Sequence, residues 1–160
     1  FDVWIDGAGD DRATAPIEGG DIAVLGGGAV LVGMGERTTP RAVERLAQRL
    51  FAAGAATAVV AVELPKRRAF MHLDTVMTMV RADTFVAYPG VLDELRAWTL
   101  TPGGSADDLV LTAQPDVFTP IKAALELDSI QVLTTGLLGE MLTFKSFRRP
   151  DSYSIKERLE

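Results

Sequence analysis

Three consecutive glycines, Gly26-Gly27-Gly28, separate two unbroken apolar runs, Ile22-Ala23-Val24-Leu25 and Ala29-Val30-Leu31-Val32. Glycine takes φ > 0 without steric cost, so a glycine stretch between two such runs specifies a β-hairpin. Both strands are apolar on both faces, the pattern of strands covered on each side by other layers. The triplet lacks the spacing of a phosphate-binding glycine loop opening onto a helix, so a dinucleotide site is set aside. Downstream, Thr39 and Pro40 read as the N-cap and first residue of a helix. Ala42, Val43, Leu46, Ala47, Leu50 and Phe51 recur at three- and four-residue spacing, with Arg41, Glu44, Arg45, Gln48 and Arg49 opposite. Gly54 closes the helix, and Thr57 to Val62 forms a strand stopped by Leu64-Pro65.

The order strand, strand, helix, strand then repeats. Thr75–Val80 and Thr84–Tyr88 read as a second hairpin turning at Ala82-Asp83, followed by a helical turn over Val91–Leu95. Trp98–Leu100 and Asp108–Thr112 are short strands, Val117–Leu127 a helix, and Ile130–Leu133 a closing strand. The fold class is therefore α/β with ββαβ repeats. Phe1 to Pro16 is rich in turn formers and reads as irregular apart from a short strand at Phe1–Ile5. Glu18-Gly19-Gly20-Asp21 precedes the first hairpin and His72-Leu73-Asp74 the second, so equivalent corners of the two units carry the polar residues. Repeated units that each offer side chains from one corner suit a propeller around a shared axis, although a plain α/β sandwich would also accept them.

At 160 residues, 48% hydrophobic and 24% charged, the chain has the size and composition of one globular domain. A formal charge of −6 argues against nucleic acid as a partner, and the one basic run, Lys66-Arg67-Arg68, is explained by a solvated loop. The absence of cysteine excludes disulfides and thiolate metal sites and is compatible with a cytoplasmic location. The longest apolar stretch, Phe51 to Val62, is interrupted and falls short of the roughly 18 residues a membrane helix needs, so no membrane contact is expected. The chain opens on Phe1 without a signal-peptide pattern and reads as processed or as part of something longer.

His72 is the only histidine. An imidazole titrates near neutrality and can give and take a proton; on an extended segment Asp74, two residues on, would point the same way and could grip a cation beside it. Taken alone, a His-x-Asp more often marks a hydrogen-bonded histidine at a strand edge, and Glu18 and Asp21 fit an ordinary solvated loop. Arg37 could clamp a carboxylate bidentately, or pair with Glu36. A metal site built from His72, Asp74, Glu18 and Asp21 ranks low, because no second histidine is present.

In combination, Ile17-Glu18-Gly19-Gly20-Asp21, Gly33-Met34-Gly35-Glu36-Arg37-Thr38, Leu64-Pro65-Lys66 and Met71-His72-Leu73-Asp74-Thr75-Val76 resemble the central part of an arginine deiminase. The resemblance is close from Phe1 to Tyr88, looser to Gly136, and lost over 137–160, which reads as a divergent tail. It implies two to three blades, over 1–136, of a five-bladed α/β propeller, the fold of the guanidine-modifying enzymes, amidinotransferases and dimethylarginine hydrolases included. It further implies hydrolysis of L-arginine to L-citrulline and ammonia, with no metal or organic cofactor, through a covalent cysteine thiouronium. On that pattern His72 is the acid and base, Glu18 and Asp74 hold the guanidinium, and Arg37 binds the substrate carboxylate. Asp21 matches the substrate-site motif but is assigned to loop structure before chemistry. The family's nucleophilic cysteine and an upstream Phe-Thr-Arg-Asp segment have no counterpart here, so the chain is expected to supply part of a site and to be inactive alone. The alternatives are a non-catalytic module that pairs its open edges with another chain, as a homo-oligomer or with a partner, and a small metal-binding domain.

Overall fold

The computed structural model describes residues 4–5, 15–105, 108–134 and 141–144. The glycine-linked runs form β1 (Ile22–Gly26) and β2 (Ala29–Met34), antiparallel, with Gly26, Gly27 and Gly28 at φ 96°, 58° and 77°. Helix α1 (Pro40–Ala52) begins as expected, the Thr39 hydroxyl accepting the Ala42 N–H at 3.3 Å. At its end Gly54 takes φ 64°, which lets the Ala55 N–H reach the Leu50 carbonyl and closes the last turn. The chain then returns as β3 (Ala58–Glu63), parallel to β2.

A second unit repeats that pairing. β4 (Met77–Arg81) and β5 (Thr84–Ala87) form an antiparallel hairpin, a 3₁₀ turn covers Pro89–Glu94, and α2 (Phe118–Ala124) leads to β8 (Ile130–Thr134), parallel to β5. Between the hairpin and α2, β6 (Arg96–Pro102) and β7 (Leu109–Gln114) leave this unit and join the first sheet, β6 pairing with β3. The sheets are ordered β1-β2-β3-β6-β7 and β4-β5-β8-β9, where β9 (Met141–Phe144) is antiparallel to β8. The α/β class and repeated ββαβ order agree with the sequence, but among the described residues neither sheet closes into a barrel.

β2 and β3 are covered on both faces. Val30, Val32, Val59 and Ala61 pack with Val43, Leu46, Ala47 and Leu50 of α1, while Leu31, Val60 and Val62 pack with Phe85, Phe118, Ile121, Ile130 and Val132 of the second unit. Burying each of the valine, leucine, isoleucine and phenylalanine side chains among these contributes about 1.5–3 kcal/mol, so the firmest part of the molecule is this two-sided core around β2 and β3. β1 departs from expectation: it is an edge strand, and Val24 is 73% exposed while its neighbour Leu25 is buried in the core. Trp4 and Ile5 lie in a bend where a strand was expected; Phe1–Val3 and all of the tail except β9 lie outside the described residues. Lys66, Arg67 and Arg68 are exposed, with Arg67 paired to Glu94 and over the Phe70 ring. Among the described residues no helix is long and apolar enough to cross a membrane.

Candidate active site

Each hairpin is entered through a three-residue 3₁₀ turn. Glu18 precedes Gly19–Asp21 and His72 precedes Leu73–Thr75, both with extended backbone (φ −119°, ψ 146° and φ −136°, ψ 155°). In both turns the residue that follows returns its N–H to the first carbonyl, Ile22 to Gly19 and Val76 to Leu73. Glu18 and His72 therefore hold equivalent positions in the two units. One expectation fails: the segment from His72 to Asp74 is not an extended run, because the chain tightens immediately after the histidine.

The two corners meet. The His72 Nε2–H donates to Glu18 Oε2 at 2.5 Å, and Arg37 Nη1 stands 3.5 Å from the other carboxylate oxygen. Asp74 reaches the same place by the turn: a β-carbon on Gly20 would stand 3.1 Å from Asp74 Oδ2 and 3.2 Å from His72 Cγ. A methyl there would be tighter than ordinary contact, so glycine lets the two turns sit this close without either giving way. Asp21 is different. It is 1% exposed, beneath the others, with Oδ1 accepting the Leu73 N–H at 2.9 Å and Oδ2 accepting the Thr38 hydroxyl at 2.5 Å.

The electrostatics follow from this contact. The hydrogen bond from His72 holds the Glu18 carboxyl below its ordinary value, against a smaller upward push from desolvation and with further help from Arg37. The hydrogen bond to Glu18 raises His72 above the ordinary imidazole value; desolvation opposes it, and the charges of Asp21, Glu18 and Asp74 add to it. The pair is thus favoured as carboxylate and imidazolium, an arrangement that presents a transferable proton beside a cluster of acceptors. Among the described residues no three carboxylate, imidazole or thiol groups are placed to hold a metal ion.

A cavity of about 470 Å³ lies on the α1 face of the first sheet, between Val43, Ala61, Trp98 and Leu111, and none of the four clustered residues lines it. Its lining is mostly apolar, with Glu44, Glu63 and Lys66 as the charged members, and the His72–Glu18 contact lies outside it. Of the residues singled out by the sequence, the structure brings Glu18, Arg37, His72 and Asp74 together, and the close backbone approach that two glycines between Glu18 and Asp21 permit is seen at Gly20. Thr38 gives no signal of its own, because the capping role of its neighbour Thr39 accounts for the Thr-Thr-Pro segment. Residues 1–140 match the family model for arginine deiminase.

Proposed function

The chain belongs to the arginine deiminase family, and on that premise we propose that the Glu18–His72 corner is the guanidinium-handling part of a site that hydrolyses L-arginine to L-citrulline and ammonia. The observation that carries this reading is the 2.5 Å contact between His72 and Glu18, with Arg37 and Asp74 beside it. His72, as imidazolium, passes its proton to the nitrogen that leaves as ammonia; then, neutral, it takes a proton from the water that opens the thiouronium. Glu18 and Asp74 accept from the guanidinium N–H groups, whose planar fork two carboxylates can match. Arg37 exchanges its long contact with Glu18 for the substrate carboxylate. The 160 residues contain no cysteine, so the thiolate that attacks the guanidinium carbon is not among the groups assigned here. The repeated strand pairing of the two units supports placing them as successive blades of a propeller, with both corners facing its axis.

Calorimetry and the NMR signal of the single imidazole test the reading together. L-Arginine is expected to bind and to shift the His72 resonance, Asp74→Asn to weaken binding tenfold or more, and the chain by itself to form no citrulline. An imidazole signal that ignores saturating arginine would overturn the site assignment, and citrulline made by the chain alone would overturn the part that places the nucleophile elsewhere.

A further inference from the structure

Glu18 and His72 touch at the surface, but their backbones are also tied together underneath. The Glu18 N–H donates to Thr38 Oγ1 at 3.1 Å, the Thr38 hydroxyl donates to Asp21 Oδ2 at 2.5 Å, and Asp21 Oδ1 accepts the N–H of Leu73, the residue after His72, at 2.9 Å. Thr38 is 0% and Asp21 1% exposed, and every group along the path has its partner. The floor below is left bare: a β-carbon on Gly33 of β2 would stand 2.9 Å from Leu73 Cβ and 3.2 Å from Asp21 Oδ1.

We propose that Thr38 and Asp21 are positioning residues, a buried clamp that fixes the separation of the Glu18 carboxylate and the His72 imidazole without bonding to either side chain. A hydroxyl suits the central position because one oxygen can donate to a carboxylate and accept an N–H at once. Serine can do the same; valine has the shape of threonine and can do neither. Each corner is a three-residue turn held at one point by the clamp, so releasing that point lets the turn rotate. A charge-assisted hydrogen bond weakens quickly as its distance and angle open. The clamp's effect on catalysis rests on the reading of His72 as acid and base, whereas its effect on the pair does not.

The lone imidazole reports on the clamp directly. The charges facing it are Glu18, Asp21 and Asp74, with Arg37 on the far oxygen of Glu18, and all four are retained in Thr38→Val. NMR titration of His72 in the full chain is expected to give a midpoint that falls toward the ordinary imidazole value in Thr38→Val and returns to the wild-type position in Thr38→Ser. Thr38→Ala, which adds no bulk, reads the same effect should valine not be accommodated, and Gly33→Ala, which presses on Leu73 and Asp21, is expected to lower the midpoint with every bonded group still present. A wild-type midpoint in the folded variants, with only their melting temperatures lowered, overturns the proposal. No arginine is needed, so the clamp can fail while arginine binding stands, and the reverse.

Discussion

Glu18 and His72 occupy the same position in two successive units, each one residue before a 3₁₀ turn that opens into a hairpin, and their side chains meet at 2.5 Å. Each shifts the other's ionisation, and the direction of those shifts fixes how the pair responds to pH.

His72 is raised, so its share of stability is complete below the unfolded value near 6.5 and disappears as pH climbs through the folded value. Glu18 is lowered, so its share is complete above the unfolded value near 4.5 and disappears as pH drops through the folded value. Both contributions are full between about pH 4.5 and 6.5. Thermal melts should show the largest gap between wild type and Glu18→Gln in that window and a shrinking gap toward pH 9. A gap that grows with alkalinity would mean that the pair is not an ionised one.

Gly20 should be far less tolerant than its neighbour. Alanine at Gly20 sets a methyl against Asp74 and His72, whereas a β-carbon at Gly19 meets nothing within 4 Å. Gly20→Ala is expected to weaken L-arginine binding about tenfold, or ~1.4 kcal/mol, and Gly19→Ala to leave it unchanged, both read by calorimetry. Equal effects at the two positions would separate the glycines from the site.

The two helices end alike on different residues. Gly54 after α1 has φ 64°, and Glu126 after α2 has φ 53°, with the Leu127 N–H bonded to the Lys122 carbonyl in the second case. A left-handed conformation costs a non-glycine residue roughly 1–2 kcal/mol. Urea denaturation should show Gly54→Ala destabilised by about 1 kcal/mol and Glu126→Gly stabilised by up to about 1 kcal/mol.

Phe85 anchors the core beneath the corners: it is fully buried and meets the Phe118 ring edge-on at 6.2 Å. Phe85→Ala should cost about 3–5 kcal/mol and Phe85→Leu much less. Denaturation midpoints decide the point, and a cost below about 1 kcal/mol would show that the core is not shared between the two units.

What could be read from the sequence was what local chemistry determines. The first hairpin and α1 carry their own start and stop signals in Gly26–Gly28, Thr39-Pro40 and Gly54, and the structure keeps all of them. α2 stops at Ala124, earlier than its apolar spacing through Leu125 and Leu127 implies, because a glutamate, not a glycine, makes the left-handed turn. Membership of β6 and β7 in the first sheet was hidden, since strand pairing across more than thirty residues leaves no mark on either strand's pattern. At the site, the charged residues announced themselves by type, while Thr38 acts through two hydrogen bonds whose partners lie twenty and seventeen residues away.

The two sheets are interleaved along the chain. β4 and β5 fall between β3 and its neighbour β6, and β6 and β7 fall between β5 and its neighbour β8. A protease nick between β3 and β4 severs the first sheet from its own continuation, one between β5 and β6 does the same to both, and one after β7, which leaves the first sheet's strands on one fragment, takes α2 and β8 out of the core they share with β2 and β3. The halves stand or fall as a unit, and limited digestion should yield either the whole body or small peptides, with no stable half-molecule between them.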